Sequence, residues 1–80
     1  MKIKLKKQPQ KYLAKVDEAT RRKLKSGIEE IREFRGDIKR LRGMENMYRY
    51  KIEHYRILFQ YSGEEIIIVD TINTRTNIKY

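Results

Sequence analysis

Met47-Tyr-Arg-Tyr-Lys-Ile52 and Tyr55-Arg-Ile-Leu-Phe-Gln-Tyr61 decide how this chain folds. The first stretch alternates apolar and polar residues in period two, and the second does so in part, the pattern of half-buried strands. Only Glu53 and His54 separate them, so the two read as a β-hairpin closed by a two-residue loop. That loop sets Lys51 opposite Arg56, Tyr50 opposite Ile57 and Arg49 opposite Leu58. Tyr48, Tyr50 and Ile52 then share one face with Phe59, Ile57 and Tyr55. The other face carries Arg49, Lys51 and Arg56, with Leu58 and Met47 beside them. Like charges placed directly opposite each other cost a hairpin stability. Nothing in the folding of the hairpin calls for three cations there, and the pattern points to an anionic visitor.

Outward from the hairpin, Met1 to Leu5 alternates with Ile3 and Leu5 on one side, a short outer strand. Pro9 suits the first turn of a helix that ends at Val16 and carries Tyr12, Leu13 and Val16 on a narrow stripe. Asp17 is the N-cap of a second helix, about Glu18 to Arg35, with Leu24, Ile28, Ile31 and Phe34 on its apolar face. Gly36 is expected as its C′ residue, with Arg32 and Arg35 complementing the dipole. Gly27 costs that helix about 1 kcal/mol against alanine, which implies close packing of the two helices. Asp37 to Met44 reads as a basic connector, and Gly43–Asn46 and Ser62-Gly63-Glu64 as turns. Glu65 to Ile72 holds an unbroken Ile-Ile-Ile-Val run, expected as a strand covered on both faces or nearly so. Asn73 to Tyr80 is a polar tail. The expected fold is α+β in the order β-α-α-β-β-β: a small, largely antiparallel sheet with an N-terminal helical hairpin on one face, one domain over residues 1–80. Tyr12, Phe34, Tyr48, Tyr50, Tyr55 and Phe59 mostly have the parity of core positions.

Composition narrows the function classes. Eighty residues allow one small core. Cysteine is absent, which removes disulfides and thiolate metal sites. No Asp/Glu/His set has metal-ligand spacing, so neither metal nor other cofactor is expected. The N-terminus is too charged for a signal peptide and no apolar run reaches spanning length, so a cytoplasmic protein without membrane contact is expected. Residues 1–42 hold 15 Lys/Arg against 6 Asp/Glu, whereas residues 43–80 hold 5 of each, so the net +9 belongs to the first half. That excess favours a polyanion, while the hairpin cations sit among compensating acids. His54, the only histidine, reads as a surface residue of the tight loop.

Four pieces in order complete the picture: Leu41-Arg42-Gly43, Tyr48-Arg49-Tyr50-Lys51-Ile52, Tyr55-Arg56-Ile57, and an apolar strand ending in Thr74-Arg75. With them the chain resembles the RelE-type toxins of bacterial and archaeal toxin–antitoxin modules over essentially its whole length. The resemblance implies a ribosome-dependent endoribonuclease that cuts mRNA in the decoding site and is silenced by a protein antitoxin. ParE-type relatives share the fold but act on DNA gyrase and generally lack the cationic set, so Arg49, Lys51, Arg56 and Arg75 favour the RelE reading. A catalytically decayed RNA- or antitoxin-binding protein is the third reading.

Cleavage through the RNA's own 2′-hydroxyl needs a base, a stabiliser of the pentacoordinate phosphorus and an acid for the leaving 5′-oxygen. Arginine is a poor base but clamps phosphate through two N–H groups, which suits Arg56. Lys51, opposite that guanidinium, is the candidate base. By resemblance, Arg75 serves the leaving group, Arg49 orients substrate or adds positive field, and Arg42 touches RNA or braces its loop. A C-terminal Tyr in the family stacks on or deprotonates the substrate; Tyr80, five residues after Arg75, is the candidate here, with Lys79 the other occupant of that direction. Arg21, Arg22, Lys23 and Lys25, with Lys2, Lys4, Lys6 and Lys7, are either a solvated surface or a grip on ribosomal RNA.

Overall fold

The computed structural model describes residues 1–74, in the order β1 (Lys2–Leu5), α1 (Lys7–Lys15), α2 (Glu18–Arg32), β2 (Asp37–Arg40), β3 (Met47–Ile52), β4 (Tyr55–Tyr61) and β5 (Ile66–Thr74). The strands form one sheet in the order β1-β5-β4-β3-β2, with β1 parallel to β5 and the other pairs antiparallel. Leu13 of α1 and Leu24, Ile28 and Ile31 of α2 bury against Tyr50, Ile57, Phe59, Ile67, Val69 and Ile72, which share one face of the sheet. The α+β class and the helical pair on one face are as expected, and the hairpin register is the expected one: Lys51 faces Arg56, Tyr50 faces Ile57 and Arg49 faces Leu58.

The connector reading of residues 37–44 is corrected, because Asp37–Arg40 is a fifth strand at the sheet edge, paired with β3. Ile38 faces Tyr50 and packs on the core, while Asp37, Lys39 and Arg40 supply the charge that edge strands tolerate. The helix ends earlier than expected as well. Phe34, at φ 56, occupies the left-handed C′ position assigned to Gly36. Its N–H donates to Ile31 O and that of Arg35 to Glu30 O, both at 2.8 Å, which closes a Schellman motif. A left-handed phenylalanine costs roughly 1–2 kcal/mol; its ring offsets this against Tyr48, Tyr61 and Phe59, with centroids 5.2, 5.3 and 5.9 Å away.

Gly27 has a different partner from the one its place in the helix implied. A Cβ there would lie 2.8 Å from Tyr50 Cε2, and a Cβ on Gly36 would lie 2.6 Å from Tyr50 Cε1. The two glycines therefore admit a ring from the sheet, not a neighbouring helix. Tyr50 is 2 % exposed and donates its hydroxyl to Glu30 Oε1 at 2.7 Å. Burial, and then that hydrogen bond, push its phenol well above the ordinary 10.0. The sign follows: the contribution is complete below the unfolded value near 10.0 and is lost as pH rises from there through the folded value. Denaturant midpoints measured across this range should fall less steeply in Tyr50→Phe than in wild type.

β5 is covered on both faces or nearly so, as its Ile-Ile-Ile-Val run implied, since none of its residues is exposed. Ile67, Val69 and Ile72 are fully buried, but Ile66 and Ile68 are only half-buried. Val69 faces Phe59 and Thr71 faces Leu58, so Asp70 is an unpaired bulge residue. That extra residue lets Val69 and Ile72, three apart, reach the same core. The strand also runs on through Asn73 and Thr74, two residues expected in the tail.

β1 pairs with β5 as far as Val69, and beyond it the Gln8 side chain takes over. Its Nε2 donates to Ile72 O and its Oε1 accepts from Ile72 N, both at 2.8 Å. Gln8→Ala strips both bonds from a part-buried backbone unit and should cost about 1–3 kcal/mol in a urea titration. Gln8→Glu keeps the acceptor alone and should fall between.

Candidate functional site

The helices leave the second face of the sheet open, and its rungs define the site. One rung runs Asp37, Lys51, Arg56, Asn73 from β2 to β5; the next runs Lys39, Arg49, Leu58, Thr71. Each rung thus carries a directly opposed pair of cations, Lys51 with Arg56 and Lys39 with Arg49. Asp37 is the carboxylate among these eight positions. Such pairing is unfavourable in isolation and becomes favourable when a phosphate lies across it.

The three hairpin cations differ in freedom. Lys51 is exposed. The Arg49 side chain keeps 14 % of its surface, with Nη2 3.8 Å from Asp37 Oδ1. Arg49 is thus a fixed source of positive field beside buried Leu58. Arg56 is half-buried, and its Nη1 donates to Tyr55 O at 3.1 Å and Glu53 O at 3.3 Å. Its Nε and Nη2 carry no hydrogen bond among the described residues, so the fork is anchored on one arm and available on the other.

The remaining sequence candidates scatter. Lys2 and Lys4 alternate with core-facing Ile3 and Leu5, so they project from the open face at the far edge of the sheet. Lys6 pairs with the bulge residue Asp70 at 2.5 Å. Arg21 is turned onto the end of α1: Nε donates to Leu13 O at 2.8 Å, Nη2 to Val16 O at 2.9 Å, and Nη1 meets Glu18. It is a capping residue. Lys23 meets Glu53 Oε1 at 3.0 Å, a hydrogen bond that raises its ammonium above the ordinary range and ties α2 to the hairpin loop. Arg22 is exposed beside Glu18, and Lys7 and Lys25 are exposed on the helices. The eight cations expected on one surface therefore divide between two opposite layers.

Arg42 lies in the loop between β2 and β3, where residues 40–45 line a shallow depression of about 530 Å³. The whole of β3, ~20 Å at 3.3 Å per residue, separates this loop from the hairpin tip. Arg75 and Tyr80 lie outside the described residues. Among the described residues no three of His, Cys, Asp and Glu cluster as metal ligands, and no helix is long and apolar enough to cross a membrane. Sequence reading missed Asp37, Lys39, Thr71 and Asn73, which complete the rungs. The period-two pattern of Asp37-Ile38-Lys39 was the available signal, and it is too short to outweigh the charge around it.

A five-stranded sheet backed by two helices is a fold this chain shares with solved toxins of toxin–antitoxin modules. The toxin in the intact E. coli RelBE toxin–antitoxin complex superposes with a TM-score of 0.75 at 25 % identity, over 91 % of this chain and 94 % of that one. The RelB–RelE antitoxin–toxin complex of Methanococcus jannaschii matches with a TM-score of 0.71 at 28 % identity, over 91 % of both chains. Isolated E. coli RelE toxin shares the fold, with a TM-score of 0.74 at 24 % identity over 91 % of this chain and 82 % of that one. No curated protein matches by sequence. The family model described as ParE toxin of the type II toxin–antitoxin system, parDE, matches residues 3–78. The chain belongs to the RelE/ParE superfamily of type II toxin–antitoxin toxins, as its four motifs implied.

Proposed function

We propose that this toxin is an mRNA endoribonuclease that works in the decoding site of the ribosome, by attack of the RNA 2′-hydroxyl on the adjacent phosphate without a metal ion. The observation that carries the reading is the rung in which Lys51 faces Arg56 on the helix-free side of the sheet. In this scheme Lys51 takes the 2′ proton and the new bond forms between O2′ and phosphorus. The free arm of Arg56 holds the phosphate oxygens as charge builds, and Arg49 adds field from the neighbouring rung. The P–O5′ bond then breaks, with Arg75 neutralising or protonating the leaving oxygen. Tyr80 stacks on the substrate base or shares the role of base. A site built mainly of cations has weak acid–base equipment, and a larger machine that fixes the substrate geometry makes up the difference.

The partners in this scheme are the ribosome, mRNA and a cognate antitoxin, all in the cytoplasm. The E. coli and M. jannaschii relatives are complexes of toxin with antitoxin, which supports the third. An acidic, amphipathic antitoxin segment would suit the cationic face. Lys2, Lys4, Lys7, Arg22, Lys25 and Arg42 are exposed cations within reach of ribosomal RNA in this scheme, and ribosome affinity should drop steeply between low and moderate salt.

A second reading, inhibition of DNA gyrase, is favoured by the ParE name of the matching family model. The opposed cations of the open face weigh against it. Purified toxin is tested in parallel on mRNA-programmed ribosomes, read by primer extension, and on gyrase supercoiling. Cuts within the decoding site with normal supercoiling support the nuclease. Inhibited supercoiling without cuts transfers the assignment to gyrase, and neither activity indicates a decayed site.

A further inference from the structure

We propose that the tip of the hairpin is a nucleobase-stacking subsite, in which the His54 ring receives an unpaired base of the RNA strand; the inference rests on the nuclease reading above. His54 is exposed, yet its ring is held 4.2 Å from that of Tyr55, centroid to centroid, at an interplanar angle of 34°. Tyr55 is itself half-buried and packed on the core, so the imidazole is backed by an anchored ring. The imidazole makes no hydrogen bond among the described residues, and the ring contact is what positions it. The loop beneath is tight: Glu53 adopts φ 51, a left-handed conformation that a two-residue connection demands and that glycine or asparagine would take more easily.

The charge around the tip identifies the ligand. The two carbonyls that bracket His54, Glu53 O and Tyr55 O, both accept from Arg56 Nη1. The guanidinium therefore lies directly against the backbone that carries His54. Lys51 faces Arg56 across the hairpin, and Lys23 reaches the same loop through Glu53. Tyr55 packs on the helix side of the sheet and Arg56 projects from the open side. An RNA strand whose phosphate lies on the free arm of Arg56 therefore turns around the hairpin tip to set the base of its own or the adjoining nucleotide on the His54 ring. An aromatic surface flanked by cations is how proteins hold single-stranded RNA, through the π-face of the base and the charge of the backbone. The subsite uses the ring of His54 and not its proton.

The test measures binding of short single-stranded RNA of mixed sequence by fluorescence anisotropy, with equal melting temperatures confirming that each variant folds. His54→Ala should bind roughly five- to tenfold more weakly, the lower range for loss of one base–aromatic stack. His54→Phe should restore the affinity and His54→Gln should not. None of the three should change the salt slope, whereas Arg56→Ala should lower it. Unchanged affinity in His54→Ala, or a His54→Phe as weak as His54→Ala, overturns the subsite and leaves the nuclease reading intact. A wild-type toxin that binds no free RNA yet cuts mRNA on ribosomes overturns the subsite alone, and one that neither binds free RNA nor cuts on ribosomes overturns both.

Discussion

Arg56→Ala is expected to slow cleavage of ribosome-bound mRNA by about 10²–10³-fold, the usual loss when one preorganised donor to a developing anionic centre is removed. Two properties of Arg56 lead to this expectation. One arm is anchored on loop carbonyls, so the fork costs little to orient, and the other is free for phosphate. It also sits on a strand with Ile57, Leu58 and Phe59 buried behind it. Arg56→Lys keeps the charge and loses the planar fork, so it should recover only part of the rate. Stability should change by about 1 kcal/mol or less, since partly exposed bonds to carbonyls are what is lost. Single-turnover cleavage with saturating toxin separates the two effects, because a binding defect would disappear at saturation and a chemical one would not.

The second large effect concerns the core. Gly27→Ala gains about 1 kcal/mol of helix propensity, but its methyl group meets the Tyr50 ring at 2.8 Å. The ring cannot retreat, since Gly36 abuts its other edge and Glu30 holds its hydroxyl. Overpacking of this kind costs about 1–3 kcal/mol, so the single substitution should destabilise despite the better helix former. Tyr50→Ala should cost about 3–5 kcal/mol by leaving a cavity. In the Tyr50→Ala background the obstacle is gone, and Gly27→Ala should become neutral or stabilising. A double-mutant cycle by urea denaturation reads this reversal of sign directly.

What could be read from sequence, and what could not, divides along physical lines. Tyr48-Arg49-Tyr50-Lys51-Ile52 gave a clean period of two, and the two-residue gap at Glu53-His54 fixed the register, so the Lys51–Arg56 opposition was legible. The edge strand β2 was not, because four residues with three charges look like a loop unless their backbone partners are known. The reason for Gly27 was hidden for a similar cause: the ring that needs it lies 23 residues away in sequence, on another element. Phe34 in the left-handed region broke a sound preference for glycine through tertiary contacts with three rings. The bulge at Asp70 did leave a trace, since Val69 and Ile72 cannot share a face of a regular strand. Within the site, the cations of the hairpin could be named, but the neutralising Asp37 and the second opposed pair at Lys39 and Arg49 depended on the missed strand. The scatter of Lys2, Lys4, Lys6, Lys7, Arg21, Arg22, Lys23 and Lys25 over two layers was beyond a reading of charge along the chain.

The central claim, that the opposed cations of the open face promote attack by the RNA's own 2′-hydroxyl on the ribosome, is tested most directly by the mRNA itself. Programmed ribosomes carry either ordinary mRNA or mRNA with a single 2′-deoxy nucleotide at the cleaved position, and the ends are mapped after addition of toxin. The account predicts cleavage of the ordinary message with a 2′,3′-cyclic phosphate end, and an intact 2′-deoxy message. Equal cleavage of both messages, or of neither, would contradict it.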